Sequence, residues 1–441
     1  MNYEQTEAYL LGTVNETVSR RGPHRLDRMR ALLSELGDPH LKYPTIHVGG
    51  TSGKGSTSTM IASVLLAGGN RCGLHTKPHL VAMTERARID GVPISKELFA
   101  ELLSEMMPAL ENVTHEHSRP SYYETLLALA FVAFARAEVD VAVIEVGIGG
   151  TLDGTNVIAP MVSVLTNVGL DHVDVLGDTV EAIAADKVGI AKPGVPFVSA
   201  VEQPSVRRIV EEGCARAGAP FVGVFDEATI ERRAQGRFGQ ALVVQTPRAK
   251  YEFEMPVLGK FQAVNAATAI VALEQLPEQF RPSAETVRAG FEQLALPGRM
   301  EVFPSHPTVV FDVAHNPDKA RSLAEALTEQ FPDRHFTFVI AISASKEAAD
   351  IIRELTGLSA AFIFTSFSAI GRTSSKPQRL ASIAEDLGAW GRAVASPVDA
   401  FMIARRNASP DDVIVVTGST FVVGQLREWW FENVRSEASA R

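Results

Sequence analysis

The sequence predicts an α/β fold in two consecutive parts, each built on a parallel sheet. Three observations predict it. Short β-rich runs alternate with helical patterns along almost the whole chain, which is the signature of βαβ construction. The runs are continuously apolar rather than alternating, as strands covered by helices on both faces must be. The chain has 441 residues, more than one hydrophobic core usually organises.

The first part is expected over residues 1–296. Leu26, Met29, Leu32, Leu33 and Leu36 recur at helical spacing and stop at Gly37. Strands are expected at residues 45–49, 139–146, 161–166 and 196–200, with a helix at 56–67 closed by Gly68 and Gly69. Residues 221–254 are more irregular and fit a short antiparallel excursion. Leu296-Pro297-Gly298-Arg299 marks the boundary. Residues 297–441 make an independent domain of comfortable size, with strands at 308–313, 336–342, 361–367, 391–395 and 413–417.

Composition narrows the function classes. The formal charge of −10, from 42 basic and 52 acidic side chains, has the wrong sign for a non-specific nucleic-acid binder. The longest apolar run, residues 126–135, is about half the length a bilayer-spanning helix needs. Residues 1–10 carry Glu4 and Glu7 and lack a signal-peptide pattern, so no membrane partner and a cytoplasmic location are expected. Cys72 and Cys214, the only cysteines, give neither a disulfide framework nor a zinc-ligand spacing.

His47-Val48-Gly49-Gly50-Thr51-Ser52-Gly53-Lys54-Gly55-Ser56 follows a strand and opens a helix. In that setting Gly50, Thr51, Ser52, Gly53, Lys54, Gly55 and Ser56 read as a phosphate-binding loop of the P-loop ATPase type. Glycines let backbone N–H groups converge on phosphate oxygens, and the helix N-terminus adds a favourable dipole. Lys54 is expected at the β/γ-phosphates and Ser56 at Mg²⁺. Gly55 separates the lysine from the hydroxyl, a departure from the strict consensus. A glycine-rich turn with a solvated lysine is the plainer alternative.

Two later strands end on the same edge. Glu145 closes one, where an oxygen ligand for Mg²⁺ belongs; a strand-end acid capping a loop is the bland reading. His172 follows the next strand and is a second candidate ligand. Lys187 ends a helix before Pro193-Gly194. Residue chemistry makes it either a surface lysine or, if carbamylated by CO₂, an anionic oxygen ligand for a second Mg²⁺.

The form GT-x-GKGS resembles the loop of the Mur ligase superfamily. HVGGTSGKGS, KPHL followed by TERARIDG, EVGIGGTLDGTN, GLDHVDVLGDT, ADKVGIAKPG, LGKFQAVNAATA, PGRME, DVAHNPDKA and VTGST, in this order, resemble the folylpolyglutamate synthase/dihydrofolate synthase family. That resemblance implies an N-terminal ATPase domain and a C-terminal Rossmann-like domain. It implies a monomeric, ATP- and Mg²⁺-dependent ligase whose partners are ATP, L-glutamate and a folate or dihydropteroate. It places Lys54, Lys187 and His172 in catalysis, with Ser56, Glu145, His172 and carbamylated Lys187 at metal. Asn265, Arg299, Asp312 and His315 fall at the nucleotide, Ser121, Tyr123 and Asp153 at the pterin, and Lys346 and Ser419 at glutamate. Fewer than fifty residues precede the glycine loop, too few for the extra domain of the cell-wall ligases, which favours a small acceptor.

Four positions depart from the family pattern: Lys77 replaces the usual serine, Thr151 an arginine, Ser52 an asparagine and Val313 a glycine. Lysine has donors and no acceptor, so Lys77 cannot take over a metal-ligating serine. The alternatives are a Mur-type ligase with a non-folate acid acceptor, a P-loop NTPase or small-molecule kinase, and a binding protein without turnover.

Overall fold

Thr45–Gly49 (β1) is buried at every position, which is why its sequence shows no polar alternation. In the computed structural model, which describes residues 1–14, 25–236, 238–358, 360–369 and 371–434, β1 lies inside an eight-stranded sheet. The other strands are Cys72–His75 (β2), Arg88–Ile89 (β3), Val92–Pro93 (β4), Val141–Glu145 (β5), Val162–Leu165 (β6), Phe197–Ser199 (β7) and Phe221–Gly223 (β8). Their order is β4-β3-β2-β5-β1-β6-β7-β8. All neighbours from β2 to β8 run parallel, and β3 and β4 add an antiparallel edge.

The chain forms two compact units. The first takes Met1–Ala234, Ala241–Pro256 and Gln262–Leu294, and the second takes Gln235–Gln240, Val257–Phe261 and Ala295–Arg441. In the first, the apolar run at 126–135 is the interior of helix Tyr122–Arg136. Leu126, Leu127, Phe131 and Phe134 from that helix pack with Phe99, Leu102 and Leu103. Each such side chain contributes roughly 1.5–3 kcal/mol by burial, and truncating Phe131 to alanine should cost about 3–5 kcal/mol. Among the described residues no helix is long and apolar enough to cross a membrane.

The short strand β2 was not expected, because Cys-Gly-Leu-His carries no β-branched residue. Packing explains the glycine: a Cβ on Gly73 would stand 2.8 Å from the Phe134 ring. The irregular stretch after residue 220 contains β8 and then a three-stranded sheet, Thr229–Gly236 (β9), Gly239–Gln245 (β10) and Lys250–Met255 (β11), in the order β11-β10-β9.

The second unit has the strands Glu301–Phe303 (β12), Thr308–Phe311 (β13), Phe336–Ile340 (β14), Ala360–Phe364 (β15), Gly391–Ala393 (β16) and Val413–Thr417 (β17), ordered β12-β13-β17-β14-β15-β16. All pairs are parallel except β12 with β13. Phe338, Phe362 and Phe364 stack across β14 and β15, with ring centroids 5.4 and 5.8 Å apart, and anchor this unit's core.

Candidate active site

The glycine loop leaves β1 and enters helix Lys54–Ala67, at the carboxyl edge of the parallel strands where open α/β sheets bind ligands. Its glycines are required by close approach. Gly50 has φ +142°, and a Cβ there would lie 2.0 Å from Thr166 Oγ1; Gly53 has φ +80°, and its Cβ would lie 2.4 Å from Asn265 Oδ1. The end of β6 braces the loop. Thr166 Oγ1 donates to Ser52 O at 2.6 Å. Asn167 Oδ1 accepts from the amides of Thr51 and Ser52 at 3.2 and 2.7 Å, and Thr51 Oγ1 bonds both N and O of Gly169. Gly53 caps the helix with no side-chain acceptor, so the first-turn amides face outward as an anion site.

Two lysines converge on the loop. Lys54 Nζ donates to Gly50 O at 2.9 Å and Thr51 O at 3.2 Å. Lys187 ends helix Val180–Lys187, and its Nζ also donates to Gly50 O at 2.9 Å. The reading of Lys187 as a surface lysine is corrected: it is only 4% exposed. Burial first, then the charges of Lys54 and Lys77, push its amine down to about 7. The Gly147–Gly150 turn allows this, since a Cβ on Gly150 would meet Lys187 O at 2.6 Å. Thr151 fastens the same junction, its N and Oγ1 donating to Asp186 O at 3.0 and 2.9 Å.

Glu145 ends β5 and is buried. Its Oε2 accepts from the Lys77 amide at 3.0 Å and would lie 3.3 Å from a Cβ on Gly55. The missing side chain at Gly55 is what lets this carboxylate reach the first helical turn, beside buried Ser56. A buried carboxylate and hydroxyl, with no cationic side chain in ion-pair contact among the described residues, suit a hard divalent cation. Among the described residues no three His, Cys, Asp or Glu side chains form a metal cage, so His172 belongs to no such trio. It has φ +52°, its side chain is 40% exposed, and its Nε2 lies 4.0 Å from Asp171 Oδ2.

Beside Glu145 stands a polar wall. Asp153 is buried and accepts from Tyr123 OH at 3.1 Å, Ile148 N at 2.8 Å, and Thr155 N and Oγ1 at 3.0 and 2.6 Å. Burial pushes its pKa up, but these donors outweigh it and hold the carboxyl below the usual range. Its oxygens are therefore largely committed within the protein. Ser121 is likewise engaged as the N-cap of helix Tyr122–Arg136, in a capping box with Glu124. The neutral imidazole of His75, pushed down to about 4 by burial and then by Arg86, lies 6.4 Å from the Tyr123 ring.

In the first unit Asn265 donates to Gln262 Oε1 at 2.9 Å beside the glycine loop. The remaining candidates lie in the second unit. Asp312 accepts from Met300 N and Ala314 N at 2.8 Å each; burial raises its pKa against the opposing charge of Arg299. His315 Nδ1 donates to Val313 O at 2.8 Å while Nε2 lies 3.2 Å from Lys319 Nζ. Ser419 caps helix Thr420–Asn433, accepting from Phe421 N at 3.2 Å. Lys346 follows β14, its amide bonded to Ser343 O. Sequence reasoning passed over Asn167 as a site residue, although a side-chain acceptor directly after β6 was the available signal.

The family model for the Mur ligase middle domain matches residues 48–273, and that for the Mur ligase glutamate ligase domain matches residues 298–420. The dihydrofolate synthase/folylpolyglutamate synthase of Bacillus subtilis is 33% identical over 408 residues, 91% of this chain and 94% of that protein. The solved folylpolyglutamate synthase of Mycobacterium tuberculosis complexed with ADP is 32% identical, with a TM-score of 0.89 over 97% of this chain and 98% of that one. The chain belongs to the folylpolyglutamate synthase/dihydrofolate synthase family. A probable bifunctional folylpolyglutamate synthase/dihydropteroate synthase of Haloferax volcanii is 36% identical over 92% of this chain, which spans only 48% of that relative's length. As a member of this family of Mur ligases the protein is an ATP-dependent ligase, and its two sheets carry the family's two-domain α/β fold.

Proposed function

We propose that this family member joins the amine of L-glutamate to the carboxylate of a folate or dihydropteroate, acting as a cytoplasmic monomer. The observation that carries the proposal is the meeting, at one sheet edge, of the glycine loop with Lys54 and Lys187, buried Glu145, and the Tyr123–Asp153 wall. The relatives named above, one of them complexed with ADP, support it.

A carboxylate is unreactive towards amines, so it must first be activated. The acceptor oxygen attacks the γ-phosphorus of ATP, the bond to the bridging oxygen breaks, and ADP leaves an acyl phosphate. Lys54, held over the loop, spreads the charge that gathers on the transferring group. Ser56 and Glu145 would hold Mg²⁺, with His172 a further candidate; the ion supplies neutralising charge at the phosphates. The neutral amine of glutamate then attacks the acyl carbon. Collapse of the tetrahedral intermediate expels phosphate, and the amine's extra proton goes to solvent.

Lys187 is proposed to carry a carbamate. Burial pushes this amine down to about 7, which favours the neutral form, whose nitrogen attacks CO₂ and releases a proton. Asn265, Arg299, Asp312 and His315 are proposed to contact nucleotide, with Lys346 and Ser419 at glutamate. Tyr123 and Asp153 shape the pterin side through their mutual bond. Ser121 contributes there by setting the helix start.

Purified protein with ATP, Mg²⁺ and L-glutamate should add one glutamyl unit to dihydropteroate or tetrahydrofolate, read by product mass. Phosphate release that needs glutamate but ignores both pterins would replace the acceptor with a non-folate acid. Release that needs no glutamate would replace the ligase with a kinase or NTPase.

A further inference from the structure

Arg86 closes the short 3₁₀ turn Met83–Arg86 and is 7% exposed. A buried guanidinium without a counter-charge is strongly unfavourable, so such residues normally face a carboxylate. Arg86 does not. Its Nε donates to His79 Nδ1 at 3.2 Å, a neutral acceptor, and among the described residues no carboxylate is in ion-pair contact with it. The adjacent acid is spent elsewhere: Glu85 accepts from the amides of Leu80, Val81 and Ala82 at 2.9, 2.8 and 3.0 Å and pairs with Arg88 at 3.3 Å. Tyr123, which with Tyr122 acts on Arg86 electrostatically, donates its hydroxyl proton to Asp153.

A second cation stands nearby in the same condition. Lys77 is mostly buried, its backbone amide is tied to Glu145, and its ammonium makes no hydrogen bond or ion pair among the described residues. Arg86, Lys54, Glu145 and Asp153 all act on it electrostatically. Contacts place both beside the site: the Lys77 amide is on Glu145, and the Arg86 carbonyl accepts at 2.7 Å from Nδ1 of His75, whose ring lies 6.4 Å from that of Tyr123. The first-turn amides and Lys54 already provide for phosphates on the loop side. What Arg86 and Lys77 lack is an anion of their own.

We propose that Arg86, assisted by Lys77, binds the carboxylate of the acceptor, the group that becomes phosphorylated. This rests on the ligase reading above and adds the residue that orients its nucleophile. The planar guanidinium fork matches a carboxylate in geometry as well as charge. Burial pulls the guanidinium below its ordinary value, and the neighbouring Tyr122, Tyr123 and Glu145 oppose that shift. Holding the carboxylate between the pterin wall and the loop presents an oxygen to the γ-phosphate.

The test compares equilibrium binding of pteroic acid and its neutral carboxamide to the full chain, by fluorescence quenching. Wild type should prefer the acid by roughly tenfold to a hundredfold, the scale of a charge-assisted hydrogen bond pair. R86Q should bind the two within about threefold, and R86K, which keeps the charge but not the fork, should retain part of the preference. K77M should lose a smaller share. ADP affinity, unchanged in all variants, controls for folding, and if R86Q fails that control the R86K and K77M series decides. A full preference retained in R86Q, or in R86K and K77M alike, would overturn the proposal. Wild type binding acid and amide equally would overturn it and leave the folate ligase standing. Wild type binding neither would remove the folate acceptor itself.

Discussion

At the carboxyl edge of the first sheet, Lys54 and Lys187 both reach Gly50 O at 2.9 Å, whereas at that of the second sheet Asp312 and Ser419 spend their oxygens on backbone amides. The first edge gathers Lys54 and Lys187 around one loop, with Glu145 and Asp153 as its acids. The second is assembled from helix caps and turn contacts, with Lys346 on a loop after β14. A loop that offers Lys54 and the first-turn amides suits a step in which negative charge develops. A site of caps and polar loop groups suits holding a substrate that changes little. Substitutions in the first unit should therefore lower kcat, and those in the second should raise KM.

The largest expected effect is that of Lys54→Ala, which should lower kcat by about 10³-fold with little change in fold. A loss under about tenfold would break the contrast at its strongest point. Lys187→Ala should cost about 10²-fold by removing an anchored charge beside the loop. The proposed modification has its own readout: ¹³C-bicarbonate should give a carbamate resonance in wild type that is absent from Lys187→Ala. No resonance in wild type would remove the carbamate and leave Lys187 as a cation.

In the second unit, Lys346→Ala should raise KM for glutamate about tenfold while changing kcat by less than about threefold. Equal losses in kcat and kcat/KM would erase the division between the two edges. The smallest effect is one of stability. Burial opposes ionisation of Glu85, but the amides of Leu80, Ala82 and Val81, with Arg88, hold its carboxyl below the ordinary 4.5. A depressed carboxylate contributes stability above its unfolded value, and that contribution is lost as pH falls through the folded value. Glu85→Gln should therefore destabilise the protein by about 1–2 kcal/mol at pH 7, and the gap should close as pH falls below the carboxylate range. A constant gap in urea melts across that range would show that the charge is irrelevant.

The sequence carried the central strands because burial on both faces writes itself as unbroken apolar runs; β1 and β17 were legible to the residue. It carried the glycine loop because strand, glycines, lysine and helix are contiguous. It did not carry β2, whose Gly73 answers to the Phe134 ring, nor β3, β4 and β12, each two or three residues long. Lys187 looked like a surface residue because burial at a helix end depends on the Gly147–Gly150 turn, distant in sequence. Ser121 and Ser419 each stand just before a helix, the local pattern of an N-cap, whereas their places at pterin and glutamate come only from the family resemblance. Arg86 gave no local signal, since its missing counter-charge exists only once the surrounding elements are assembled.

The most direct test of acyl-phosphate chemistry at the first edge is the fate of the acceptor's oxygen. Acceptor labelled with ¹⁸O in its carboxylate is turned over with ATP, Mg²⁺ and L-glutamate, and the released phosphate is analysed by mass. One ¹⁸O should appear in each phosphate, because the attacking carboxylate oxygen leaves with phosphorus when the amide forms. Phosphate carrying no label would mean that water or another nucleophile attacks ATP, and would contradict the ligase mechanism at its first step.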